Sequence, residues 1–120
     1  MFAFDKSGLK DLLPEGRAKV ERLAREINKS FVNVTQVLVV GHTDRLGGDT
    51  YNLELSRKRA ETVRALLVSN GMDTALIRTA GKGKTEPVVE CRADANIQAL
   101  RDCLQPNRRV NIDIVGDAAD

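Results

Sequence analysis

Apolar positions along the chain recur first at helical spacing, then in a short unbroken run, then at helical spacing again. Ala18, Leu23, Ala24 and Ile27 mark one helical stripe with Val20 beside it, and Pro14-Glu15 stand where a first turn would begin. This predicts a long helix over about 14–29. TQVLVV, residues 35–40, is nearly all apolar and β-branched, as a central strand covered on at least one face would be. Gly41 ends it. Residues 41–50 read as a loop containing Gly47-Gly48, with Asp49 or Thr50 as the N-cap of a second helix over about 51–69. Leu55, Val63, Leu66 and Leu67 form that helix's apolar face, with Ala60 and Thr62 beside them. Asn70-Gly71 stops it, Gly71 taking the left-handed position.

The pattern then shortens. Residues 77–80 predict a second strand, closed by Gly81-Lys82-Gly83, and Pro87 marks a loop. A short helix is expected over about 93–104. In RVNIDIV, residues 109–115, apolar and polar positions alternate, which predicts a half-buried antiparallel strand. At the other end, residues 2–4 look like the remnant of an edge strand and Ser7 to Leu13 like a helical turn. The order β-α-β-α-β-(short α)-β predicts an α+β fold, one mixed sheet with helices packed on one face. A single domain is expected over 1–120, its core at about 2–115 and a flexible tail at 116–120. A start inside a strand reads as a domain cut from a longer protein, with Met1 as an added start.

Composition narrows this. A chain of 120 residues suits one core. With 3% aromatic residues and no Trp, that core must be aliphatic. A net charge of +2 is too mild to point to nucleic acid, and the aromatic residues that stack on single strands are missing. No nucleic-acid partner is expected. No apolar run approaches the roughly 20 residues that span a bilayer. The two cysteines, Cys91 and Cys103, leave two readings open on spacing alone: a disulfide in an oxidising compartment, or two separate buried thiols. Without CxxC spacing or a nearby His they make a poor metal site.

The chemistry-bearing residues gather at 41–63. His42, the only histidine, has no second ligand cluster to make a metal site. No GxSxG elbow, GxGxxG turn or GxxxxGK[ST] loop is present, and Gly81-Lys82-Gly83-Lys84 lacks the helix start that a phosphate loop needs. No catalytic residue, cofactor or metal is therefore expected. Asp44, just past a strand, and Arg59, early in the following helix, make a more specific pair. A carboxylate can accept from an ammonium, and a guanidinium can grip a carboxylate with two parallel bonds. Together they match a zwitterion with both groups on one carbon. The plainer reading is that they pair with each other or with Arg45, Glu54 or Arg57.

GHTDRLGGDTYNLELSRKRAETVRALLVSNGM resembles the signature of the OmpA-like peptidoglycan-binding domain, through Gly41, Thr43, Asp44, Gly47, Tyr51, Asn52, Leu55, Ser56, Arg59, Ala60 and Val63. FAFDKSGLK, GKGKTEPV and PNRRVNIDI resemble the family's first strand, its G-x-G-x-x-x-P segment and its last strand, so the resemblance covers about residues 2–115. The cysteine pair before PNRRV is similar to the family's outer-membrane-protein branch rather than its lipoprotein or flagellar-stator branches. The resemblance implies a non-catalytic periplasmic domain of an outer-membrane protein, with a β-barrel upstream, that anchors the protein to the cell wall. It implies that Asp44 takes the ammonium, and Arg59 the carboxylate, of meso-diaminopimelate in the peptidoglycan stem peptide. Lysine in its place would lack the second carboxylate. By the same resemblance Phe4, Asp5, Thr43, Asn52, Leu55 and Arg109 would line the pocket, and Cys91 and Cys103 would form a disulfide.

Overall fold

The structure is a computed structural model and describes residues 2, 6–30, 34–91 and 96–116. The apolar run becomes β1 (Gln36–Gly41), the middle strand of the sheet. Its neighbours are β2 (Ile77–Gly81), parallel to it from Val37↔Ile77 to Gly41↔Gly81, and β3 (Val110–Val115), antiparallel to it from Gln36↔Val115 to Gly41↔Val110. A parallel neighbour needs a crossover helix. That helix is α2 (Asp49–Ser69), which follows β1 directly. With α1 (Pro14–Ser30) and the short α3 (Ile97–Cys103), these elements give the expected α+β architecture with a mixed sheet.

Successive strand residues face opposite ways, so Val37 and Val39 point together to one side, where both are fully buried. There they meet Val20, Ala24 and Ile27 of α1, Ala60, Val63, Leu66 and Leu67 of α2, and Ile77 and Val110 of the flanking strands. Leu23 of α1 also packs on this cluster, beside Ile112 and Ile114 of β3. Both long helices therefore cover the same face of the sheet.

Gly41 belongs to the strand rather than merely ending it, and its lack of a side chain matters. A Cβ there would lie 1.8 Å from the Ser56 carbonyl oxygen, so β1 and α2 touch backbone to backbone. Gly71 ends α2 in the left-handed region, φ +99°, as expected.

Three boundaries differ from the pattern. α2 starts at Asp49, and Gly48, with φ −78° and ψ 157°, takes the N-cap without a side-chain acceptor; neither Asp49 nor Thr50 caps. Asp49 instead stands in the first turn, where a negative charge favours the helix dipole. α3 is shorter than expected because Asn96 caps it, its Oδ1 accepting from the Gln98 and Ala99 amides; the expected start at 93 lies outside the described residues. At the N-terminus Phe2 makes an isolated antiparallel bridge to Leu12, and Phe4 and Asp5 lie outside the described residues. So does the expected tail beyond Gly116.

Candidate functional site

The inner face of α2 changes character along its length. Its C-terminal half, Ala60 to Leu67, buries only aliphatic residues in the core. Its N-terminal half buries Asn52, Ser56 and Arg59 beside Leu55. These recur at i, i+3, i+4 and i+7, so they share one stripe. That stripe continues past the core, under the loop that leaves β1. There it encloses a cavity of about 260 Å³ lined by Thr43, Asp44, Leu46, Gly47, Tyr51, Asn52, Leu55 and Arg59.

Five expected residues meet in this cavity. Arg59 is fully buried, yet its guanidinium is well accommodated. Nε donates to the Lys6 carbonyl at 2.9 Å and Nη1 to the His42 carbonyl at 3.1 Å. Its Cζ lies 5.4 Å from the centroid of the Phe2 ring, within the range of a cation–π contact. Two carbonyls and an aromatic face thus fix the plane of the guanidinium. Asp44 is equally enclosed. Its Oδ1 accepts from the Leu46 amide at 2.9 Å, and its Oδ2 receives Arg108 Nη1, also at 2.9 Å. A carboxylate offers about four lone-pair positions, so these two bonds orient it without exhausting it. Leu55 supplies apolar wall. Asn52 donates through Nδ2 to the Leu46 carbonyl at 2.9 Å and so holds the loop closed over the helix. Thr43 donates its hydroxyl to the Asp44 carbonyl at 3.0 Å, and its amide donates to the Gly83 carbonyl at 2.8 Å. Tyr51 stands half-exposed beside the opening.

Arg109 is the exception. It lines a different groove, with Leu13, Lys19 and Gln105, between α1 and β3, and the neighbouring Arg108 reaches Asp44 instead. Local backbone explains the exchange: Arg108 leaves the short 3-10 turn Gln105–Asn107 with φ −87° and ψ 75°, outside the extended strand that starts at Val110, and its side chain is carried to Asp44. Phe2, beneath Arg59, was not among the expected site residues either.

The Gly81-Lys82-Gly83-Lys84 segment supports the site through its contacts. The Lys82 amide donates to the Gly41 carbonyl, the Gly83 amide to Ser56 Oγ at 2.9 Å, and Lys84 Nζ pairs with Asp49 at 2.8 Å. These bonds tie the end of β2 to both the β1 end and the first turns of α2.

His42 contributes its backbone carbonyl to the site, while its ring does not line the cavity. The ring is buried, with Nε2 3.3 Å from Asn111 Nδ2. Burial and then the Arg109 charge hold the imidazole below the usual histidine range; Lys82 adds to this and Glu86 opposes it.

Cys91 and Cys103 are joined in a disulfide, with Cα atoms 6.2 Å apart. Cys91, Leu100 and Leu104 form a second small apolar cluster, against which Leu46 and Val89 pack. Asn107 fastens this region to the rest: its Oδ1 accepts from the Val88 and Val89 amides, and its Nδ2 donates to the Val89 carbonyl. Among the described residues, no group of three His, Cys, Asp or Glu side chains could hold a metal ion. No described helix is long and apolar enough to cross a membrane.

Known proteins share both sequence and architecture with this chain. Outer membrane protein A of Shimwellia blattae is 40% identical over 118 residues, covering 97% of this chain and 48% of that protein. The chain thus spans about half the length of this relative. The solved peptidoglycan-associated lipoprotein of Burkholderia pseudomallei superposes with a TM-score of 0.71 at 26% identity, covering 95% of this chain and 86% of that one. The OmpA-like domain of FopA1 from Francisella tularensis superposes with a TM-score of 0.74 at 25% identity, covering 99% and 72%. Residues 1–101, which contain the whole cavity lining and the strand–loop–helix unit that builds it, match the OmpA family, and the chain belongs to that family.

Proposed function

We propose that this chain is a non-catalytic cell-wall-binding module. It would hold peptidoglycan through the free end of meso-diaminopimelate in the stem peptide. One observation carries this reading: Asp44 and Arg59, an acceptor for ammonium and a fork for carboxylate, line the same small cavity. The free end of diaminopimelate carries both groups on one carbon. A cavity offering one opposite charge to each recognises that end by geometry alone. Lysine at the same place offers Arg59 no second carboxylate to grip, so the paired bonds that diaminopimelate would make there are lost. Membership in the OmpA family and the likeness to a peptidoglycan-associated lipoprotein support the same reading.

The site's rigidity fits binding rather than turnover. Arg59 is pinned by two carbonyls and Asp44 by an amide and an arginine, while the His42 ring faces away from the cavity. The module would work in the periplasm, joined to an upstream outer-membrane β-barrel, and tether that barrel to the wall. Weak affinity for one stem peptide suffices there, because a polymer presents many and tethering raises the effective concentration.

Co-sedimentation with purified sacculi tests this. The chain is expected to pellet with diaminopimelate-type sacculi and to remain in the supernatant with lysine-type sacculi, with no muropeptides released. Equal pelleting with both would refute the zwitterion reading. Release of soluble muropeptides would refute the non-catalytic one.

A further inference from the structure

The partners of both Asp44 carboxylate oxygens lean on the disulfide-joined Cys91 and α3. Oδ2 accepts from Arg108 Nη1, and the same Nη1 donates to the carbonyl of Arg101 on α3 at 3.0 Å. Oδ1 accepts from the Leu46 amide, and the Leu46 side chain packs on the cluster of Cys91, Leu100 and Leu104. Arg45, between them, donates through Nη1 to the Cys91 carbonyl. Three consecutive residues of the binding loop are thus anchored to Cys91 and α3, which the disulfide joins. Arg108 also donates through Nε to the Phe2 carbonyl at 3.1 Å, beneath the ring that supports Arg59.

We infer that Cys91 and α3, joined by the disulfide, brace the ammonium-binding half of the cavity, with Arg108 as the positioning residue that transmits this to Asp44. The inference rests on the zwitterion reading of the cavity for its effect on binding.

The physical reason is the enclosed ion pair. The side chains of Arg108 and Asp44 are 6% and 4% exposed. Such a pair holds only while its remaining hydrogen-bond capacity is met, here by the Phe2 and Arg101 carbonyls and the Leu46 amide. Opening the disulfide releases α3 from its tether and with it the Arg101 carbonyl and the cluster under Leu46. Asp44 then loses its fixed direction. Arg59 keeps the carbonyls of Lys6 and His42, and the Phe2 ring under it stays tied by the Phe2 amide to the Arg108 backbone carbonyl, which neither variant removes. The brace therefore acts on one charge of the pair and spares the other.

Tripeptides of the stem type, L-Ala-γ-D-Glu-X with the chain-end carboxyl amidated, separate the two charges. X is meso-diaminopimelate, lysine (ammonium only at its free end) or 2-aminopimelate (carboxylate only). Arg108→Met and the double variant Cys91→Ala/Cys103→Ala are compared with the wild-type chain. Both are expected to lose about tenfold of the preference for diaminopimelate over 2-aminopimelate, a charge-assisted bond's worth. The preference over lysine should stay within about twofold. Amide hydrogen exchange of Leu46 in the ligand-free protein should quicken in both variants. Full retention of the ammonium preference overturns the inference, as does a proportional loss of both preferences, which plain destabilisation would give. If the wild type shows no preference at all, the zwitterion reading fails. Leu46 exchange then decides the brace alone: unchanged exchange overturns it, and faster exchange supports it.

Discussion

Gly41→Ala puts the contact between strand and helix to a quantitative test. The added Cβ would stand 1.8 Å from the Ser56 carbonyl oxygen, 2.8 Å from its carbon and 3.2 Å from the Ala60 nitrogen. Real Cβ atoms essentially never come within 3.0 Å of such neighbours, so β1 and α2 must part by more than 1 Å. All three obstructing atoms are backbone, and none can rotate away. β1 is held on both sides by β2 and β3. Any movement therefore falls on α2 and opens the core beneath Ala60 and Val63, both fully buried. Overpacking of a core costs about 1–3 kcal/mol, occasionally more, and a backbone clash belongs at the upper end, at about 3 kcal/mol. For a domain of this size each kcal/mol moves the melting temperature by about 4 °C, which gives a loss of about 12 °C. Calorimetry of the wild type and variant measures it, with Gly81→Ala as a second point. There the nearest atoms are Ser56 Oγ at 2.5 Å, Arg57 Cγ at 2.6 Å and the Arg57 backbone nitrogen at 2.7 Å; the two side-chain atoms can partly yield, and the backbone overlap is shallower than at Gly41. Its loss should be smaller. A Gly41→Ala melting temperature within 3 °C of wild type would refute the close contact. It would also remove the reason that Arg59 sits opposite the loop.

Other consequences can be checked independently. Gly48→Ser should supply the side-chain acceptor that the α2 N-cap lacks; the backbone there already has cap geometry and a Cβ would meet nothing within 4 Å. Chemical denaturation should show a gain of about 0.3 kcal/mol, and a loss would contradict the cap assignment. His42, held below its usual range by burial and by Arg109, binds a proton more readily in the unfolded chain than in the folded one. Stability from this residue is therefore complete above about pH 6.5 and falls as the pH drops from there toward the lowered folded value. Urea midpoints measured at pH 7.5, 6.5 and 5.5 should show that decline in the wild type and a shallower one in His42→Gln. Equal slopes would contradict a buried neutral imidazole.

The architecture was legible because each element carries a strong period. The β-branched run at 36–40 had to be central, and the stripe from Leu55 to Leu67 had to cover it. α2 lost clarity at its start, where Gly48 caps through backbone conformation alone and leaves no side-chain signal. Asp44 and Arg59 were legible as a pair only because a strand-end loop and the following helix adjoin in a β-α unit. Nothing local reveals that Arg59 is buried among carbonyls or that Phe2 lies beneath it. Those contacts join positions 2, 6 and 59, and no periodicity links them. Arg108 was not within reach: it leaves a 3-10 turn at Gln105–Asn107, so the alternation that identifies β3 does not extend back to it. The support that the disulfide segment gives to Asp44 is purely tertiary. It runs through a carbonyl, an amide and a packed leucine, none of which leaves a trace in sequence.

The central claim is that Asp44 and Arg59 act together on one zwitterionic carbon. An amide chemical-shift titration of this chain with L-Ala-γ-D-Glu-meso-diaminopimelate amide, against the lysine counterpart, tests it most directly. The account predicts that the diaminopimelate peptide shifts the amides of residues 41–49 and the Arg59 side-chain Nε–H at millimolar concentration, while the lysine peptide leaves Arg59 in place. Matching shifts from both peptides, or none around the cavity from either, would contradict it.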